Sequence, residues 1–207
     1  MIRLLEFNED IHTYSFNGVV LPSVTQIISE IMPNKYKGIN KRVLDEKAKF
    51  GTTGHKIIEG LDVSNLESAK NHVRTIENKS LEICLREYLR LVRKHNIKPE
   101  AHEMRVHYGC IYAGTLDMIA DVNDNLSLID VKFTSTLDKE YLAWQLGMYS
   151  LAFNNNMQFD KYYCLWLPKG DLGQLVEIKP KTNDEIISKL KELGYIKGDI
   201  NLSENNI

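Results

Sequence analysis

The segment from Tyr112 to Phe133 constrains the fold more than any other part of the chain, because it places charged residues inside two largely apolar runs. Asp117 lies in the first run, and Asp130 and Lys132 lie in the second. The polar triplet at 123–125 between the runs is typical of a tight turn. The pattern therefore predicts two antiparallel strands joined by a short turn, with charged side chains carried into or beside a core.

The length of that turn decides which face of the hairpin carries Asp117. Asp130 and Lys132 are two residues apart on one strand, so they share a face. A two-residue loop at 123–124 puts Asp117 opposite Asp130, and a loop at 124–125 puts it opposite Lys132. Both registers gather the three residues on one face, whereas a three-residue loop would separate them.

Two carboxylates and an ammonium in an apolar setting are costly unless they pair or bind a metal ion. One interpretation is a buried Asp–Lys pair with no chemistry. The other is a divalent-metal site, since carboxylate oxygens, water and substrate phosphate oxygens suit Mg²⁺. In that case Lys132 would hold or activate the attacking water, or stabilise charge that develops on phosphorus.

The rest of the chain alternates between helical and strand periods. The patterns predict a hairpin over 11–21, a helix that begins at Pro22-Ser23, a basic helical segment over 35–58, an amphipathic helix over 81–95, strands over 103–108, 112–121 and 126–133, a helix over 140–153, a second hairpin over 161–178, and a last helix that begins at the capping box 182–185 and ends at Gly194. The sum is an α/β fold, a small mixed β-sheet flanked by helices. The length of 207 residues predicts a single domain over 1–207.

Net charge alone disfavours a protein coated in basic residues for nucleic acid, because the formal value is −2. The distribution of charge indicates the opposite. Residues 35–56 hold seven bases and two acids, and residues 73–99 hold seven bases and three acids. Residues 100–170 hold nine acids and five bases. Two basic segments therefore flank an acidic centre.

Four short motifs, in order along the chain, resemble the signatures of the PD-(D/E)XK nuclease superfamily, in particular its RecB-type branch. The motifs are Gly51 to His55, Gly114 to Asp117, Asp130 to Lys132 and Gln145 to Tyr149. The runs 21–25 and 112–117 also look like single-domain phage nucleases and the mitochondrial genome maintenance exonuclease. The resemblance spans roughly residues 10–170 and implies a restriction-endonuclease-like core.

The resemblance implies a metal centre and a catalytic residue. The implied metal ligands are Asp117, Asp130 and the carbonyl of Val131, and His55 would either be a further ligand or position one. Lys132 would be the catalytic lysine, and the cofactor would be Mg²⁺ or Mn²⁺. The three cysteines form no C-x-x-C pair and the cysteine cluster of iron–sulfur members is missing, so no iron–sulfur cluster is expected.

The resemblance also names residues around that centre. Gln145 and Tyr149 lie one helical turn apart, so both would face the active site and hold either Lys132 or a DNA phosphate. Glu103, on the preceding strand, is a further candidate site residue.

The function implied is that of a metal-dependent deoxyribonuclease, an exonuclease acting on single strands or DNA ends in recombination or replication. One alternative is a structure-selective endonuclease of the same fold. Another is a catalytically silent DNA-binding or protein-binding module, against which the intact Asp117, Asp130 and Lys132 argue.

Next to a nuclease centre the two basic segments become the expected DNA track. The candidate DNA-binding residues are Lys41, Arg42, Lys49, Arg86, Arg90 and Arg93. The chain shows neither the apolar run of a signal peptide at its start nor the ~18 apolar residues of a membrane span, so a cytoplasmic location is expected.

Overall fold

The computed structural model describes residues 5–9, 11–33, 40–153 and 158–197. Within these residues the chain forms two β-sheets and six helices. The start of the predicted basic segment, residues 35–39, lies outside the described residues, as does the tail after Lys197.

The smaller sheet has three antiparallel strands in chain order: β1 (Leu5–Asn8), β2 (Thr13–Phe16) and β3 (Val19–Leu21). The predicted hairpin over 11–21 is confirmed, since β2 and β3 meet at a turn whose two residues, Asn17 and Gly18, both have positive φ. The sequence pattern does not indicate β1, because its four residues alternate only between half-buried and exposed.

The larger sheet has five strands in chain order. They are β4 (Ile97–Tyr108), β5 (Tyr112–Val122), β6 (Leu126–Lys132), β7 (Lys161–Trp166) and β8 (Gln174–Glu177). All neighbours are antiparallel except β6 and β7, which are parallel. The predicted mixed sheet is therefore confirmed, with β4 beginning six residues earlier than the predicted strand over 103–108.

The helices follow the predicted pattern apart from one. They are α1 (Val24–Ile31), α2 (Lys41–Gly60), α3 (Leu66–Arg74), α4 (Lys79–Lys94), α5 (Lys139–Phe153) and α6 (Asn183–Glu192). Ser23 and Thr182 cap α1 and α6 with complete capping boxes, as expected from their sequences. The helix α3 is not predicted, because it buries only Ala69 and Val73.

The helices cover both faces of the larger sheet. Helices α1 and α5 pack on one face, where the core includes Leu116 and Leu128. Helix α4 packs on the other face, against a core that includes Met118 and Val131. A charged side chain on β6 therefore lies between two apolar layers and is shielded from water. In the described part of the chain, no helix has both the length and the apolar character that crossing a bilayer requires.

The turn between β5 and β6 settles the register that the sequence left open. Asn123 and Asp124 have φ values of +51° and +64°, and Val122 and Asn125 exchange backbone hydrogen bonds across them. This is the two-residue loop at 123–124. In its register Asp117 belongs opposite Asp130.

Candidate active site

Strands β5 and β6 separate just before the charged residues. Their ladder ends at the pair Met118 and Ile129. Beyond it, the N–H of Val131 donates to Oδ2 of Asp117 at 2.7 Å. A side-chain carboxylate thus takes the place of a strand carbonyl, and β6 continues with β7 as its partner as far as Lys132. The opening between the strands is where the charged groups collect.

Asp130 and Lys132 form a tight ion pair on β6. The Lys132 Nζ donates to Oδ1 of Asp130 at 2.8 Å and lies 2.7 Å from Oδ2, where it makes no hydrogen bond. Asp130 is 1% exposed. Burial raises the pKa of Asp130 to about 6, although Lys132 opposes that rise. Burial also disfavours the charge on Lys132, but Asp130 and then Asp117 outweigh it and hold the pKa of Lys132 above its ordinary value.

A second group of charges lies next to this pair. His55 Nδ1 lies 3.6 Å from Oε1 of Glu103 and 3.7 Å from Oδ2 of Asp117. Potential ligand atoms of the three side chains lie within 4.8 Å of one another. Burial would lower the pKa of His55, but Asp117 and then Glu103 outweigh it and raise that pKa to about 9. The carboxylates therefore attract a positive charge to this point.

Glu103 joins the cluster through an unusual backbone conformation. Its φ is +47°, in the left-handed region that non-glycine residues adopt at a cost of about 1–2 kcal/mol. The β4–β5 ladder pairs His102 with Met118 and Met104 with Leu116, and it skips the residue between. The sequence named Glu103 only as a further candidate, and nothing in the sequence indicates the irregularity that places it beside His55.

His55 reaches the cluster because α2 approaches the end of β6 closely. A Cβ on Gly54 would overlap the ring of Phe133, so only glycine permits this approach. The rings of His55 and Phe133 meet edge to face, 5.8 Å apart. Gly51, the glycine of the predicted motif, has no atom within 4 Å of such a Cβ. The glycine that makes the close contact is therefore Gly54, and the resemblance to the family motif does not identify this residue.

Gln145 and Tyr149 approach from α5 on the other side. The Nε2 of Gln145 donates to the Tyr149 hydroxyl at 3.3 Å, while Oε1 is buried with no hydrogen-bond partner. The Tyr149 ring fits against Gly114, where a Cβ would lie 2.7 Å from Cε1. The ammonium of Lys132 bonds to Asp130 and not to Gln145.

The His55 cluster opens into a cleft of about 630 Å³. The cleft is lined by Phe7, Glu9, His12, Tyr14, Ser23, Val24, Thr25, Thr52, His55, Lys56, Glu59, Glu103, Arg105, Gly114, Thr115, Asp117 and Tyr149. Asp130 and Lys132 are not among these lining residues. The cleft is therefore bounded by the small sheet, the start of α1, the middle of α2 and strands β4 and β5.

None of the six candidate DNA-binding residues lines the cleft. Lys41, Arg42 and Lys49 are exposed on α2. The arginines of α4 line a separate groove of about 670 Å³ with residues of α3, which we call the basic groove. Its lining is Leu66, Lys70, Arg74, Arg86, Leu89, Arg90, Arg93 and Lys94.

Arg90 differs from the other arginines of the basic groove in its contacts. Its Nη2 donates to the carbonyl of Gly173 at 2.7 Å, and the guanidinium also pairs with Glu87. Glu87 in turn accepts from the N–H of Gly173 at 2.9 Å. These bonds fasten α4 to the loop between β7 and β8, which gives Arg90 a structural role.

Comparison with known proteins gives one family. A family model for the PD-(D/E)XK nuclease superfamily matches residues 34–193. No curated protein matches the chain significantly. The crystal structure of SSO0001 is 14% identical, and the match covers 83% of this chain and 73% of that chain with a TM-score of 0.39. With so low a TM-score, that likeness adds nothing to the family match.

Proposed function

Because the chain belongs to the PD-(D/E)XK nuclease superfamily, we propose that it hydrolyses DNA phosphodiester bonds with Mg²⁺ or Mn²⁺ at the cluster around Asp117. The mixed sheet flanked by helices conforms to the restriction-endonuclease-like core of that superfamily. One observation carries the proposal: His55, Glu103 and Asp117 converge within 4.8 Å, beside the paired Asp130 and Lys132.

The residues present fit a hard divalent cation. The cluster offers carboxylate oxygens and one imidazole nitrogen, and Mg²⁺ and Mn²⁺ take such donors. Oδ2 of Asp130 lies 2.7 Å from the Lys132 ammonium but accepts no hydrogen bond, so this oxygen retains a lone pair for a ligand role. We assign His55, Asp117 and Asp130 as metal ligands, with Glu103 beside them; the carbonyl of Val131 stays a prediction from the family motif.

These residues would hold a divalent cation, whose charge would polarise the phosphodiester and acidify the attacking water. The protein contributes the fixed positions. Lys132 has an ammonium kept charged by Asp130, so it can stabilise negative charge that develops on the phosphate in the transition state. His55 must release its proton to act as a ligand, since only the neutral imidazole coordinates a metal ion.

Gln145 and Tyr149 retain hydrogen-bonding capacity with which they can bind substrate. The buried Oε1 of Gln145 has no partner and the bond from Nε2 to Tyr149 is long at 3.3 Å. Tyr149 also lines the cleft. We propose that the pair orients Lys132 or a DNA phosphate once substrate is bound.

The finer assignment rests on the motifs. The order of the four motifs supports the RecB-type branch and, with it, an exonuclease that acts on single strands or DNA ends in recombination or replication. The family match over residues 34–193 supports one nuclease domain for the chain. Cys84, Cys110 and Cys164 are all free, which supports a reducing compartment such as the cytoplasm.

The deciding experiment compares linear and circular single-stranded DNA of the same sequence, with Mg²⁺ or Mn²⁺ and with EDTA. An exonuclease degrades the linear strand and leaves the circle intact. Equal attack on both identifies the endonuclease alternative. The absence of cleavage of either strand and of duplex DNA under all metal conditions would contradict the proposed function and favour a silent binding module.

A further inference from the structure

One wall of the cleft carries three aromatic rings and an arginine that the proposed chemistry does not use. The rings of Phe7 and Tyr14 stack with centroids 4.6 Å apart. The His12 ring meets Phe7 edge-on at 5.0 Å, and the guanidinium of Arg105 lies 5.5 Å from the Phe7 centroid. Phe7 is thus the centre of the group and touches each of the other three.

The outward members of this wall are available to a ligand. Tyr14 is buried, whereas His12 and Arg105 are exposed to the cleft. Among the described residues Arg105 makes no ion pair and no hydrogen bond, so its contact with Phe7 is what holds it. His12 sits at a φ of +49° at the end of the β1–β2 connection, immediately before β2.

The wall is fixed to the strands that carry the candidate metal ligands. The Tyr14 hydroxyl bonds to Oγ1 of Thr115 at 2.9 Å, two residues from Asp117 on β5. Arg105 is likewise two residues from Glu103 on β4. A group bound at the wall is therefore held at a fixed position relative to the carboxylate cluster.

We propose that His12 and Arg105, held in place by Phe7, form a subsite for an unpaired nucleobase next to the phosphate that is cut. The inference rests on the proposed nuclease function and adds to it a base-binding subsite with named residues. A guanidinium plane and aromatic rings bind the face of any base, and the guanidinium also attracts the phosphate beside it. In a duplex both faces of a base are covered by its neighbours, so only a single strand or a frayed end can use this subsite.

The wall and the carboxylate cluster line one cleft. Its volume of about 630 Å³ is in the range of pockets that hold a small molecule and is sufficient for a nucleotide-sized group. Lys56, on the α2 side of the same cleft, makes no ion pair among the described residues. A single strand can therefore run from Lys56 past the carboxylates to the wall.

The first test measures the affinity of a fluorescent oligothymidylate for the full-length protein by anisotropy, with Ca²⁺ in place of Mg²⁺. We expect Arg105→Ala and His12→Ala each to weaken binding about tenfold. Arg105→Lys keeps the charge but lacks the planar group, so most of the loss should persist. The matched controls are Lys98→Ala on the same strand and His72→Ala on α3, both exposed, and they should stay within twofold of the wild type. Wild-type affinity in Arg105→Lys would overturn the subsite.

The second test separates base recognition from charge. The wild type should bind oligothymidylate at least fivefold tighter than an abasic strand of equal length, and this ratio should fall toward one in the His12→Ala/Arg105→Ala double variant. If the wild type cleaves DNA but the ratio is the same in wild type and double variant, the subsite is wrong and the nuclease assignment stands. If the wild type neither cleaves nor binds DNA, the nuclease assignment itself fails.

Discussion

The cleft and the basic groove are similar in volume, about 630 and 670 Å³, but they present opposite electrostatics. The cleft surrounds carboxylates that are partly or fully withdrawn from water, and these raise the pKa of His55 to about 9. The groove presents basic side chains on two exposed helix surfaces. Withdrawn charges act strongly over a few ångströms, whereas exposed charges act weakly at longer range and are screened by salt.

The two regions also differ in how the chain assembles them. The basic groove uses α3 and α4, which are neighbours in sequence. The cleft takes its clustered charges from α2, β4 and β5, and the small sheet forms one wall. The formal net charge of −2 is a sum in which acidic regions and basic regions nearly cancel. We propose that the chemistry takes place in the cleft and that the groove attracts DNA at longer range.

The largest expected effect tests the cleft. Asp130→Asn and Lys132→Met should each lower the rate of DNA cleavage by at least about 100-fold, because the first removes a proposed metal ligand and the second removes the ammonium proposed to stabilise the transition state. The matched control is Lys161→Met, which breaks an exposed pair with Glu177. Wild-type activity in either cleft variant would remove that residue from the active site.

Loss of folding must be separated from loss of chemistry in those variants. Removing one partner of a buried ion pair costs about 3–5 kcal/mol, because the other charge is left unpaired. The double variant Asp130→Asn/Lys132→Met should therefore unfold at a higher temperature than Lys132→Met, yet remain inactive. Circular dichroism during thermal unfolding gives the comparison.

A smaller effect is expected on metal binding. His55→Ala and Glu103→Gln should each weaken Mn²⁺ binding about tenfold or more, measured by calorimetry on the metal-free protein. Glu59→Gln is the matched control, since Glu59 lines the same cleft outside the cluster. An equal loss in Glu59→Gln would show that the cluster acts only through its overall negative charge.

A still smaller effect is expected from the basic groove. Arg86→Glu/Arg93→Glu should weaken DNA binding several-fold at low salt and flatten its salt dependence, while the cleavage rate at saturating DNA stays unchanged. Arg90 is left intact because it fastens the β7–β8 loop. Lys189→Glu on α6 serves as the control. If the salt dependence of binding does not change, DNA does not use the groove.

The smallest effect is the pH dependence of stability. His55 has a pKa of about 9 in the folded, metal-free chain against 6.5 ordinarily, so its stabilisation is complete below pH 6.5 and is lost as pH rises through about 9. The Tm of the metal-free protein should fall by several degrees across this window, and less so in His55→Gln. The gain in Tm on adding Mn²⁺ should instead grow with pH, because binding needs the neutral imidazole. An identical fall in Tm in the wild type and His55→Gln would refute the assignment of this pH dependence to His55.

Local features of the fold were predictable from the sequence because short-range chemistry determines them. The turn at Asn123 and Asp124 requires two residues that tolerate positive φ, and the capping boxes at Ser23 and Thr182 satisfy the first backbone donors of their helices. The short helix α3 and the strand β1 bury few side chains, so neither leaves a clear apolar period.

The site residues of the cleft were predictable from the sequence only through the family motifs that contain them. The left-handed φ of Glu103 depends on how β4 meets β5, and the need for glycine at Gly54 depends on Phe133, which lies far along the chain. Contacts between segments that are distant in the chain do not produce a periodic pattern in the local sequence. The aromatic wall was missed for the same reason, since Phe7 and Arg105 meet only in the folded chain.

The hydrogen bond from Val131 N–H to Asp117 gives the active site a built-in spectroscopic reporter. This amide lies beyond the last β5–β6 pair, so its exchange with deuterated solvent depends on a side chain and not on the ladder. Its proton resonance should shift when a ligand competes for the Asp117 carboxylate. The Val131 amide signal in an ¹⁵N spectrum should thus report the occupancy of the candidate metal centre, whereas amides in the rest of the sheet should not change.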